Sequence, residues 1–178
     1  MKLFLAPHND DECLFGAFTL IRERPLVVIV TDAWNQFNRE TGITAEMRWE
    51  ETKKAMEILG CPVIRLGIRD DCLDEASVRD KLSRFVGFET VYAPAVQDGN
   101  LQHDLIGRIA GEVFGDKCKY YATYTKEQLY TTGIQEIIPT PDELILKEKV
   151  LLCYQSQINL PDTAPHFEAV RGHSEWYI

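Results

Sequence analysis

The run PLVVIVTDA, residues 25–33, constrains the fold more than any other stretch of the chain. From Leu26 to Val30 it is continuously apolar and rich in β-branched side chains, without the alternation of a half-exposed strand. A strand of this kind needs cover on both faces, as in a parallel sheet packed between helices. The rest of the chain supplies the partners. KLFLA, PVIRLGI, TVYAPA and KYYATYT read as further strands. Helical patterns separate them. Leu14, Phe15, Phe18 and Ile21 recur at helical spacing between Asp11 and Arg22. TAEMRWEETKKAMEILG has Thr44 as N-cap and Gly60 as its stop, and DEASVRDKLSRFVG is capped near Asp74 and stopped at Gly87. HDLIGRIAGEVFG is a fourth helix, and PDELILKEKVLLCYQSQ starts at Pro141, where a missing N–H costs nothing. Such alternation predicts an α/β fold: a single-domain, Rossmann-like three-layer sandwich over residues 1–178, with right-handed crossovers and a mainly parallel sheet.

Charge and cysteine usage narrow the function. A formal net charge of −9 argues against nucleic-acid and polybasic membrane contacts. The five cysteines are odd in number and form no CxxC pair, so reduced thiols and a cytoplasmic location are expected. The N-terminus does not read as a signal peptide, and no apolar run approaches a membrane span. The segment DAWNQFNRETGI reads as a polar loop after the second strand, with Trp34 and Phe37 either lining a site or anchoring a surface loop. The aromatics of the tail GHSEWYI are expected to pack.

In a sheet of this type, ligands sit beyond the carboxyl ends of the strands, where strand order reverses. Two polar clusters fall at such ends: HNDDE after the first strand and QDGNLQH after the fourth. Together they offer His8, Asp10, Asp11, Asp98, Asn100 and His103. Taken singly, each has a plainer reading: a hydrogen-bonded loop histidine, an acidic first turn favourable to the helix dipole, a histidine near an N-cap. Taken together, two imidazoles and a carboxylate around one point make a zinc site with an open position. A divalent cation would also reverse the repulsion among the consecutive acids.

APHNDDECLFGA resembles the AHPDDE signature of the PIG-L/LmbE-like N-acetylglucosaminyl deacetylases, and PAVQDGNLQHD resembles that family's second motif, a proline and an aspartate followed by HxDH. VVIVTDA, RWEETKKAMEILG and CYQSQ resemble further family segments in the same order. The resemblance implies metal ligation by His8, Asp11 and His103, with Asp10 as general base. It implies a supporting role for Glu12, a substrate-side role for Arg48, and a counterpart of the second-motif aspartate in Asp98, suited to orient a liganding histidine. Trp34 is the loop candidate for substrate contact. Three positions depart from the family: Asn9 replaces the signature proline, Asn100 replaces the first histidine of the second motif, and Gln102 replaces its aspartate. An asparagine amide can donate to an oxyanion but cannot act as an acid or base near neutral pH.

The implied activity is zinc-dependent N-deacetylation of an acetamido sugar, by metal-activated water with Asp10 as base and Asn100 at the oxyanion. Fe²⁺ or Co²⁺ suits the same donors. Residue chemistry alone reaches only a metal-assisted hydrolase. A non-catalytic metal-holding or ligand-binding module, and a hydrolase of another N-acyl group, stand as alternatives. The chain carries no GxGxxG, P-loop or GxSxG motif, which disfavours nucleotide binding and a serine acyl-enzyme. Its oligomeric state is unreadable.

Overall fold

The computed structural model describes residues 1–32 and 36–178, less the side chains of Gln36, Phe37 and Arg39. Its elements in chain order begin with β1 (Lys2–Ala6), α1 (Asp11–Phe15), α2 (Ala17–Glu23), β2 (Leu26–Thr31), α3 (Gln36–Thr41), α4 (Ala45–Leu59) and β3 (Val63–Ile68). They continue with α5 (Glu75–Leu82), β4 (Thr90–Pro94), α6 (Leu101–Phe114), β5 (Cys118–Tyr121), β6 (Gln135–Ile137), α7 (Pro141–Leu151), α8 (Gln155–Ile158), α9 (Ala164–Val170) and β7 (Glu175–Tyr177). Seven strands form one sheet in the order β3-β2-β1-β4-β5-β7-β6. The first five pair in parallel, and β7 joins β5 and β6 antiparallel.

The strand period of two divides the core. Phe4, Ala6, Val27 and Ile29 face one side, where they meet α1, α2, α4, α7 and α9 through residues such as Leu14, Leu20, Met56, Val150 and Phe167. Leu3, Leu5, Val28 and Val30 face the other, against Val78 and Leu82 of α5 and Ile106 and Ile109 of α6. β1 and β2 are therefore buried on both sides, which accounts for their uninterrupted apolar sequences.

Several boundaries differ from the sequence reading for local reasons. The helix expected from Asp11 to Arg22 is two helices, split at Gly16. A Cβ at Gly16 would run into the ring of Phe4, so this turn is pressed onto the sheet at a spot only glycine fits. The loop expected after β2 contains α3. α5 ends at Leu82 rather than running to Gly87, and α6 starts at Leu101, two residues earlier than expected, because Asn100 caps it. The helix from Pro141 stops at Leu151 and resumes as the short α8. The Thr44 and Thr140 caps form as their sequences require, the latter as a capping box with Glu143. In the tail, Tyr177 stacks on Tyr92 with ring centroids 5.6 Å apart.

Candidate metal centre

Strand order reverses between β1 and β4, and the two polar clusters lie at the carboxyl ends of these two strands. His8 Nδ1 is 3.1 Å from Asp11 Oδ2 and 3.2 Å from His103 Nε2, and His103 Nε2 is 3.1 Å from the same Asp11 oxygen. His8, Asp11 and His103 thus present one nitrogen or oxygen each to a common point. Two imidazoles and a carboxylate are a donor set suited to zinc and to similar divalent ions.

The loop that carries this set is fixed from several directions. The Thr31 hydroxyl donates to Pro7 O (2.9 Å), and the Asn9 amide donates to Thr52 Oγ1 (2.8 Å). The Arg48 guanidinium donates to Asn9 O and pairs with Asp10 Oδ2 at 3.1 Å. Asp10 has φ 110°, a conformation that side-chain-bearing residues rarely adopt. Its N–H is held by Glu12 Oε2 at 2.9 Å, and its carbonyl accepts from Cys13 and Leu14 at the head of α1. Glu12 is itself buried and accepts from the Tyr154 hydroxyl. Glu12 thus serves as a brace for the backbone at Asp10.

The charges at the site depart from their ordinary states. Burial opposes the charged form of His8, but the hydrogen bond and charge of Asp11, together with Asp70 and Gln102, outweigh it and push His8 up to about 9. Burial would raise Asp11, yet the two imidazoles hold it well below the usual carboxylate range. Burial raises Asp10 to about 7 against the charge of Arg48, and raises Glu12 to about 8 against the Tyr154 hydrogen bond.

The remaining sequence candidates are placed as follows. Arg48 is buried and lines the cavity. Asn100 also lines it. Its Oδ1 caps α6 by accepting from Gln102 N (2.8 Å) and His103 N (3.4 Å), while its amide donates to the Tyr124 hydroxyl at 3.1 Å. Asp98 is exposed with φ 57°, and the hydrogen bonds of the two imidazoles do not run to it. The orienting contact for His8 comes instead from Gln102, whose Oε1 faces His8 Nε2 while its amide donates to Asp70 O at 2.9 Å. Trp34 lies outside the described residues. The sequence reading did not single out Tyr124 or His166, and gave Gln157 only as part of the family-like segment CYQSQ. These residues close the cavity from β5's trailing loop, α8 and α9. Gly99 contributes to this closure, because a Cβ there would strike the Tyr124 backbone.

The cavity above the metal set has a volume of about 470 Å³, within the range of roughly 300–1,000 Å³ common for small-molecule sites. Asp10, Asp11 and Asp70 make one side acidic, and Leu14 and Phe167 give apolar surface.

Residues 3–114 match the family model described as PIG-L, GlcNAc-PI de-N-acetylase. The chain belongs to the PIG-L family. The matched span contains both strand-end clusters, while α7, α8, α9 and the antiparallel strands lie beyond it. No match was found among curated proteins. Solved structures share the fold at low identity. A triple-mutant deacetylase of the teicoplanin biosynthetic pathway is 14% identical with a TM-score of 0.78, covering 99% of this chain and 96% of that one. The N,N'-diacetylchitobiose deacetylase from Pyrococcus horikoshii is 19% identical with a TM-score of 0.74, covering 99% of this chain and 82% of that one. A 4-carboxy-2-hydroxymuconate hydratase from Pseudomonas putida is 17% identical with a TM-score of 0.64, covering 94% of this chain and 83% of that one. The fold therefore occurs with more than one named reaction, and for this PIG-L member the chemistry has to be argued from the site.

Proposed function

We propose that this PIG-L member is a zinc-dependent hydrolase that removes the acetyl group from an acetamido sugar. The observation that carries the reading is the convergence of His8 Nδ1, Asp11 Oδ2 and His103 Nε2 beside the buried carboxylate of Asp10. A bound divalent ion supplies Lewis acidity and a water of lowered pKa. Asp10 takes a proton from the attacking water and returns it to the leaving amine, a role suited to a carboxylate lifted toward neutrality by burial. Arg48 aims Asp10 through their ion pair, and Glu12 fixes its backbone. One amide hydrogen of Asn100 goes to Tyr124, and the other is available to the acyl oxygen. Gln102 holds the ring of His8 so that Nδ1 faces the site. Free cysteines along the chain support a cytoplasmic location, and among the described residues no helix is long and apolar enough to cross a membrane.

The commitment of Asn100 to capping and to Tyr124 gives a metal-holding sugar binder as the second reading. The decisive experiment is metal analysis of the purified protein with a screen for free-amine release from N-acylated amino sugars. Stoichiometric zinc with turnover of an N-acetyl sugar is expected, and Asp10→Asn should keep the metal while losing roughly 10²–10⁴-fold in rate. Binding without turnover would favour the second reading, and turnover of only longer N-acyl groups would change the substrate.

A further inference from the structure

α9 brings His166 to the cavity wall from a part of the chain beyond the family-matched residues. Its ring packs edge-on against Tyr124 at 4.6 Å between centroids, and Tyr124 also meets His103 edge-on at 5.3 Å. Tyr124 is thus in contact both with His166 and with a member of the metal set, and all of them line the same cavity or touch a residue that does. Its Nδ1 is buried and has no hydrogen-bond partner. A buried lone pair without a partner is tolerated better than a buried N–H without one, so the ring proton belongs on Nε2. Burial also lowers the pKa of His166 and keeps the ring neutral. The neighbouring wall is rich in acceptors, with Asp10, Asp11 and Asp70. Of its donors, Arg48 pairs with Asp10 and Asn9 while its buried Nε has no partner, and Asn100 gives one amide hydrogen to Tyr124.

The geometry points to His166 as a specificity-determining residue, its neutral Nε2–H donating to a hydroxyl or ring oxygen of the sugar while the acyl group lies at the metal set. This inference rests on the amino-sugar reading above. A neutral donor selects an uncharged acceptor oxygen, and a site built to pair with one discriminates against the analogue that lacks it.

The test is calorimetric binding of N-acetylglucosamine and its monodeoxy analogues to zinc-loaded protein carrying Asp10→Asn, with His166 intact, His166→Phe or His166→Gln. Phenylalanine keeps the packing on Tyr124 and removes the donor, whereas glutamine offers an amide N–H near the former Nε2. The expected result is about tenfold weaker binding for His166→Phe, substantial recovery for His166→Gln, and one deoxy analogue whose penalty vanishes in His166→Phe. In the protein with Asp10 intact, His166→Phe should raise KM more than it lowers kcat. Equal affinity for every sugar with and without His166→Phe would overturn the assignment while leaving hydrolysis intact. Binding that depends on His166 without any turnover would overturn the hydrolase reading instead. Absence of sugar binding would overturn both.

Discussion

His8 Nδ1 lies 3.2 Å from His103 Nε2, although 95 positions separate them in the chain. Two imidazole nitrogens at this distance, both also within reach of one Asp11 oxygen, are arranged for a shared cation. The geometry depends on β1 and β4 being adjacent across the reversal of strand order.

Removal of one proposed ligand should therefore disable the whole set. His103→Ala is expected to weaken zinc binding by more than about 100-fold, beyond the usual loss for an outer partner of a ligand. Competitive titration with a chelating dye measures this directly, and unchanged zinc affinity would remove His103 from the set.

Tyr154 and Glu12 meet in the buried region under α1. Tyr154→Phe deletes the hydroxyl and leaves a Glu12 oxygen with one partner fewer, at a cost of about 1–3 kcal/mol in unfolding free energy. Urea denaturation of the metal-free protein checks this. A midpoint equal to the parent's would mean that the contact contributes nothing to stability.

Lys147 and Glu175 form a buried ion pair at 2.9 Å that ties α7 to the last strand, with the ammonium also donating to Leu14 O. Lys147→Met strands a buried carboxylate and should cost about 3–5 kcal/mol. Adding Glu175→Gln should recover much of that loss, since an amide oxygen can still accept from Phe18 N. Additive effects of the two changes would show that the groups act independently.

Glu143 responds to acid in a defined direction. Hydrogen bonds from Arg22 are the main reason its pKa falls to about 2 from an ordinary 4.5. A carboxylate depressed in the folded state stabilises above its unfolded pKa, and that contribution disappears as pH falls from about 4.5 toward 2. Stability measured across this window should decline less steeply in Arg22→Met than in the parent, and identical slopes would contradict the pairing.

The parallel core was legible because β1, β2 and β4 are apolar on both faces and need no partner information to be recognised. The strand-end clusters were legible for a related reason: consecutive acids beside a histidine have few stable uses at the end of a buried strand. β6 and β7 were not. Each is a three-residue strand with no measurable period, made regular only by pairing with the other and with β5. The break at Gly16 depends on its close approach to the ring of Phe4 on the preceding strand, which the helical spacing around Gly16 does not announce. Asp98 and Gln102 both follow β4 as polar residues, and only the first turn of α6 turns Gln102 toward His8 and leaves Asp98 outside. His166 looks like any residue of a short helix, and its place at the cavity follows from contacts with Tyr124 that the local sequence does not encode.

The wound backbone at Asp10 sets two selective pressures against each other. Glycine there would relieve the unfavourable φ but leave the buried Arg48 guanidinium without its ion-pair partner, so strain and pairing pull in opposite directions. Only with Arg48 also replaced by an uncharged residue would a screen for thermal robustness be expected to drift toward glycine and away from the proposed base.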